Sequence, residues 1–170
     1  MNNSKNSVRT LTMLALLVAM SIVFSRVLSI STGFVRFNLG SLPVLLAALL
    51  FGPGAGFAVG AVADMIGGVL AGYAINPLIT LGAGAIGLVA GYAWQKLPNL
   101  RTGLRLQISV LLGHFVGSMV INSLALRIFY GYAWSVLLTR IPNAIVLAAV
   151  NTVLLRILLE NRSLMKLAKK

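Results

Sequence analysis

Read for its hydrophobic positions, the chain falls into six apolar runs parted by short polar breaks. They cover residues 11–30, 39–51, 55–71, 77–94, 106–126 and 141–159. A hydrocarbon core about 30 Å thick takes roughly 20 helical residues to cross. The pattern therefore predicts an all-α integral membrane protein, a compact bundle of six transmembrane helices forming a single membrane domain over 1–170. Gly52-Pro53-Gly54 marks the turn between the second and third runs, and Pro77 suits the first turn of the fourth helix. Pro98 and Asn99 fall in the break before the fifth run. Between the last two runs lies an amphipathic, aromatic stretch over 127–140 with Phe129, Tyr130, Tyr132 and Trp134. It predicts an interfacial loop or a short surface helix. The first run follows Lys5 and Arg9 in the manner of a secretory signal. Its length and the five runs behind it predict a retained helix instead.

Composition makes the membrane assignment firm. Hydrophobic residues are 59% of the chain and charged residues 9%, against the quarter or so that a water-soluble domain carries. Mean hydropathy is +0.97. Only Asp64 and Glu160 are acidic against fourteen basic residues, a formal net charge of +12. In a soluble protein that excess would suggest nucleic acid. Here the basic residues lie mostly between apolar runs, so no nucleic-acid partner is expected and the lipid bilayer is the natural neighbour. Six crossings put both termini on one side, together with Lys5, Arg9, Lys96, Arg101, Arg105, Arg156, Arg162, Lys166, Lys169 and Lys170. The other side keeps Arg26, Arg36, Arg127 and Arg140. Ten against four predicts cytoplasmic termini.

Several chemistries are excluded by what is missing. With no cysteine there are no disulfides and no thiolate metal sites. The chain has neither a GxxxxGK[ST] phosphate loop nor an HExxH pair. Two acids cannot build a multi-carboxylate metal centre, so neither an enzyme nor a metal or cofactor is expected. Gly56/Gly60, Gly87/Gly91 and Gly113/Gly117 each sit one turn apart. Such small faces let helix backbones approach closely in lipid, which predicts a tight bundle and not an open channel.

The informative residues are those that cost energy where they sit. Four arginines and no lysine occupy the side where basic residues are disfavoured. Arg26 is the costliest, at the end of the first run; an arginine inside hydrocarbon costs about 2.5–3.5 kcal/mol on insertion scales. The guanidinium fork binds a carboxylate or phosphate bidentately, as lysine cannot. Arg26, Arg36, Arg127 and Arg140 are therefore candidates for an outer anion site, with snorkelling to the headgroups as the alternative for each. His114, Ser118 and Asn122 recur every four residues on one helical stripe, and Asn143 and Asn151 share another face. These stripes point inward, either bonding helix to helix or reading a ligand. Asp64, the one acid within a run, needs a partner: an arginine or a ligand's N–H group.

Three stretches carry a resemblance. They are Arg36-Phe37-Asn38-Leu39-Gly40-Ser41-Leu42-Pro43, Leu50-Phe51-Gly52-Pro53, and Gly60-Ala61-Val62-Ala63-Asp64-Met65-Ile66-Gly67. Together they resemble the substrate-binding S components of energy-coupling factor (ECF) vitamin transporters. Asn122-Ser123-Leu124-Ala125-Leu126, Tyr130-Gly131 and Arg140-Ile141 look most like the folate-specific branch. The resemblance covers nearly the whole chain. It implies a multi-pass protein of a bacterial plasma membrane that captures a vitamin from outside. Its implied partners are a folate-like vitamin, a transmembrane coupling protein and two ATPase subunits. The family's Ala-x-x-x-Ala docking motif is matched by Ala15 and Ala19, two small residues one turn apart on the first helix.

The same resemblance implies a site. Folate carries two carboxylates, an aromatic linker and a flat pterin. Arg26 is then the first candidate for the carboxylates, with Arg36, Arg127 and Arg140. Phe34, Tyr73, Tyr130 and Trp134 are candidates for stacking or closing the pocket. Asn76, His114, Asn122, Asn143 and Asp64 are candidates for the pterin edge. Two rivals stay open: an S component for another vitamin, such as pantothenate or a thiamine-like ligand, and a structural subunit of a membrane complex.

Overall fold

The computed structural model describes residues 2–31 and 36–161. Among the described residues the fold is helical apart from one small antiparallel strand pair. α1 (Asn2–Arg26) is followed by the two-residue strands β1 (Ile30–Ser31) and β2 (Arg36–Phe37), antiparallel with Ile30 opposite Phe37. α2 (Ser41–Phe51), α3 (Pro53–Leu70) and α4 (Pro77–Lys96) follow. One continuous helical segment then runs through α5 (Thr102–Gly113), a π-helical stretch (His114–Ile121) and α6 (Asn122–Tyr130). A single turn, α7 (Trp134–Leu138), leads into α8 (Arg140–Glu160).

Five of these segments are long and apolar enough to cross a bilayer: 7–26, α3, α4, the 102–130 segment and the stretch 134–160. α2 is the exception. Its 11 residues rise about 16 Å at 1.5 Å each, roughly half the thickness of a hydrocarbon core. The chain is a helical membrane bundle with five helices of spanning length and one short, deeply buried helix. In α2, Leu45 and Ala47 are fully buried, and Ala48 nearly so. The short helix is thus a core element, packed against α1, α3 and α4.

Small residues set the packing. α3 and α4 touch backbone to backbone: a Cβ on Gly87 would stand 2.5 Å from the carbonyl carbon of Gly56. No residue but glycine fits there, and the contact is the kind that replaces the hydrophobic drive in lipid. Two apolar clusters flank this seam. One gathers Leu42, Leu45, Leu106, Val110 and Leu155, the other Leu17, Val44 and Val59. Entry to α2 is pinned to α1, because the Ser21 hydroxyl donates to the Gly40 carbonyl at 2.7 Å. The turn before it is closed by Asn38, whose Oδ1 accepts from the Gly40 N–H at 3.0 Å.

The ends of the helices alternate. Residues from the C-terminal ends of α1, α3 and the 102–130 segment meet residues from the N-terminal ends of α2, α4 and α8. They surround one cavity. The opposite end of the bundle carries the Gly52 turn, the last turn of α4 and the first turn of α5. There Arg105 donates from Nε (2.7 Å) and Nη2 to the Trp94 carbonyl, and its guanidinium lies 3.9 Å from the Trp94 ring centroid. That bond satisfies one of the orphan carbonyls of a helix C-terminus.

Candidate functional site

The cavity at the alternating end encloses about 640 Å³. This is within the range of pockets that bury a drug-sized ligand. Arg26 reaches it from the last turn of α1 and Arg140 from the first turn of α8. Each keeps a buried guanidinium nitrogen with no hydrogen-bond partner among the described residues, Nε of Arg26 and Nη1 of Arg140. A buried, unpaired N–H on a cation is expensive and calls for an anion. Arg26 is held from two sides. Its guanidinium lies 5.7 Å from the Tyr73 ring centroid, and Gly67 of α3 leaves room where a Cβ would come within 3.2 Å of Nε.

Polar groups of other elements face the same space. Asp64 lines it from α3 and accepts a 2.8 Å hydrogen bond from the Thr80 hydroxyl of α4. Among the described residues the one ion pair joins Arg156 to Glu160, and the partner described for Asp64 is the Thr80 hydroxyl. The pairing with an arginine that the sequence suggested is not formed among the described side chains. The π-helical stretch brings His114 and Ser118 to the wall, with Asn122 just beyond it. Such stretches are rare and concentrate at functional sites, because the extra residue per turn re-aims side chains without breaking the helix. Asn122 presses its Oδ1 against Gly82 of α4, where a Cβ would collide with it.

Nine of the twelve binding candidates line this cavity: Arg26, Asp64, Tyr73, Asn76, His114, Asn122, Tyr130, Arg140 and Asn143. For Asn76 the role is divided. It is the N-cap of α4, its Oδ1 accepting from the N–H groups of Leu78 (3.0 Å) and Ile79 (3.4 Å), so only its NH₂ group is left for a ligand. Arg127 does not line the cavity. It is exposed, donates from Nη1 to the Tyr132 carbonyl at 3.0 Å, and lies 5.9 Å from the Trp134 ring centroid, tying down the turn after α6. Trp134 is likewise exposed and outside the lining. Phe34 lies outside the described residues, and for Arg36 only the backbone, in β2, is described. Arg162, Lys166, Lys169 and Lys170, counted above on the cytoplasmic side, also lie outside them. Ala15 and Ala19 are exposed on α1.

Sequence reasoning missed Ser21, Ser25, Ser41 and Asn38, which line the wall between α1 and α2, and Thr80, which orients Asp64. Ser21 and Ser25 sit one turn apart just before Arg26, a polar stripe legible in an apolar run. Thr80 gave no such signal, since its hydroxyl matters only once α3 and α4 are side by side. Beneath the cavity Asn151, fully buried on α8, donates from Nδ2 to Ser41 Oγ at 2.9 Å and lies 3.1 Å from His114 Nε2. No cluster of three or more His, Cys, Asp or Glu that could hold a metal occurs among the described residues.

A protein-family model described as "ECF-type riboflavin transporter, S component" matches residues 5–164, nearly the whole chain. The chain belongs to this S-component family. It is accordingly a membrane-embedded, multi-pass substrate-binding subunit of an ECF vitamin transporter and not an enzyme. It pairs with an ECF module of coupling and ATPase subunits. Among its relatives is the folate transporter FolT of Clostridium novyi (strain NT), 27% identical over 145 residues that cover 84% of this chain and 83% of that one. A crystal structure of FolT bound with folic acid is similar in fold at a TM-score of 0.71 and 25% identity, covering 85% of this chain and 89% of the other. The S component of another bacterial ECF transporter shares the fold at a TM-score of 0.74 and 19% identity, over 92% and 96% of the two chains.

Proposed function

We propose that this S component captures folate in the cavity between the alternating helix ends. The observation that carries the reading is the pair of half-buried arginines, Arg26 and Arg140, each with one buried guanidinium nitrogen that has no partner among the described residues at the cavity. Two cations against the single carboxylate of Asp64, which pairs with neither, call for a ligand that brings its own negative charge. Folate brings two carboxylates. The flat pterin would lie deeper, where Asp64, His114, Asn122 and Asn143 offer both hydrogen-bond polarities, and Tyr73 and Tyr130 flank the mouth. The relationship to FolT supports the same ligand.

Riboflavin is the second reading, favoured by the description of the family model. Its ring would suit the cavity, but its ribityl chain is neutral and would leave the buried nitrogens of both guanidinium groups without an anion. Equilibrium binding of folate and of riboflavin to the purified protein in lipid nanodiscs decides between them. Folate should bind at nanomolar to micromolar concentration, and Arg140→Ala should weaken it without weakening riboflavin. Saturable riboflavin binding with no response to folate would reverse the assignment.

The reading includes an orientation. The chain acts as a single membrane domain with α2 inserted among the five longer helices to make six. Both termini face the cytoplasm with the basic cluster, and the cavity opens outward. Ala15 and Ala19, small and exposed one turn apart on α1, supply the groove for the coupling protein. Cysteine-accessibility labelling near Lys5 and at Tyr132 tests the sidedness, since the two positions should react from opposite faces.

A further inference from the structure

Beneath the cavity floor the hydrogen-bond polarity of one ring is fixed by the protein. Asn151 places Nδ2 within reach of two groups, Ser41 Oγ at 2.9 Å and His114 Nε2 at 3.1 Å, while its Oδ1 is buried without a partner. An amide NH₂ has two protons to give and no lone pair to receive. In this orientation both protons are used and one acceptor is left over. With the amide turned over, Oδ1 would accept from both neighbours, but two buried N–H donors would be orphaned in its place. The first arrangement leaves fewer unpaired groups and is the cheaper. It requires Nε2 to be the accepting nitrogen, so the ring proton resides on Nδ1. That nitrogen makes no hydrogen bond to the described protein, and His114 lines the cavity.

We infer that His114 is a specificity-determining N–H donor to a ring acceptor of the vitamin, and that Asn151 is the positioning residue that holds it in that tautomer. The inference rests on the folate reading for the identity of the acceptor, a ring carbonyl or imine nitrogen of the pterin. The tautomer itself follows from the protein alone. Ser41 completes the relay by taking the second amide proton, so a hydroxyl at the start of α2 helps set what a residue on α5's continuation offers to the ligand. A site of this polarity rejects a ring that presents a donor at the same place, because two N–H groups would then face each other.

The chain has one histidine, so imidazole ¹⁵N spectra of the labelled protein in nanodiscs report His114 without assignment. Without ligand, the proton should be found on Nδ1. Asn151→Leu should move it to Nε2. Saturation with folate should shift the Nδ1 resonance and leave Nε2 nearly in place, and Asn151→Leu should weaken folate binding on the order of tenfold. A ring protonated on Nε2 in the wild-type protein overturns the proposal, and that measurement needs no variant to fold. So does bound folate that leaves Nδ1 undisturbed. Should folate fail to bind at all, the folate reading falls separately, and the same spectra recorded with riboflavin decide whether Nδ1 contacts the vitamin that does bind.

Discussion

The two ends of the bundle use arginine in opposite ways. At the end with the Gly52 turn, Arg105 donates twice to the Trp94 carbonyl and covers its ring, and Arg156 pairs with Glu160 at 3.0 Å. At the cavity end, Arg26 and Arg140 each keep a buried nitrogen that no group among the described residues satisfies. The residue type and the fold are the same, so the difference lies in what is supplied locally. Where the protein provides the acceptor, arginine is a fastener. Where it provides none among the described residues, arginine is free to meet a ligand, as the proposed capture of folate requires.

The strongest way to break this contrast is to remove the receptor. Arg26→Ala should lower folate affinity on the order of a hundredfold, the loss of one or two charge-assisted hydrogen bonds in a partly dry site. Thermal stability of the ligand-free protein should hold or rise, because a half-buried cation with an unpartnered buried nitrogen is removed. Arg26→Lys should recover only part of the affinity, since an ammonium cannot make the bidentate contact. Calorimetric binding combined with thermal unfolding in detergent separates the two effects. A variant that unfolds earlier while binding folate normally would show that Arg26 is a fastener after all.

The second way is to remove a fastener. Arg105→Ala deletes the bonds to the Trp94 carbonyl and a close cation–π contact at the C-terminus of α4. It should cost about 1–2 kcal/mol of stability. Folate affinity should stay within twofold of the parent, since the change lies at the far end of the helices from the cavity. Trp94 fluorescence should shift as its ring loses the cation, giving a local signal that the intended contact was lost.

How much of this was legible in the chain follows from which signals are local. The apolar runs and the glycine pairs survive in any one-dimensional reading, so the helices and a tight bundle could be expected, while the meeting of Gly56 with Gly87 across α3 and α4 could not. Arg26 stood out, with Arg36, Arg127 and Arg140 beside it, because a charge is costly in hydrocarbon wherever the fold puts it. The partner of Asp64 was not legible, since Thr80 lies on another helix and looks like any apolar-run threonine. Arg127 misled for a related reason. It shares composition and side with Arg26, but it sits at the end of α6, where the Gly131 turn (φ 66°) folds the Tyr132 carbonyl back within its reach. The π-helical stretch was invisible too. The four-residue spacing of His114, Ser118 and Asn122 suggested an ordinary helical stripe, and the widened turn changes where that stripe faces while keeping it on the cavity.

A finer test leaves Arg26 in place and crowds it. Gly67→Ala would put a methyl group about 3.2 Å from Arg26 Nε, close enough that the side chain must give by a few tenths of an ångström. The guanidinium is the far end of a flexible chain, so the fold should tolerate the change. Folate affinity should fall about threefold, because the displaced group meets the carboxylate at a poorer angle. In the Arg26→Ala background the same substitution should do nothing to binding. Non-additivity of that kind is what a double-mutant cycle reads as contact.

The smallest effect is expected at the most visible ion pair. Arg156 and Glu160 are one turn apart on α8, and their side chains are 66% and 67% exposed. In that setting Coulomb attraction is screened by solvent and offset by the entropy of holding two long side chains together, leaving about 0.5 kcal/mol or less. Glu160→Gln should therefore shift the unfolding temperature barely beyond error and leave folate binding unchanged. Added salt should erase what difference there is. Arg156 is the control for Arg26: a guanidinium with both a partner and water has nothing left to offer a ligand. If Glu160→Gln altered folate affinity as Arg26→Ala is expected to, charge anywhere on the bundle would govern capture, and the distinction between its two ends would fail.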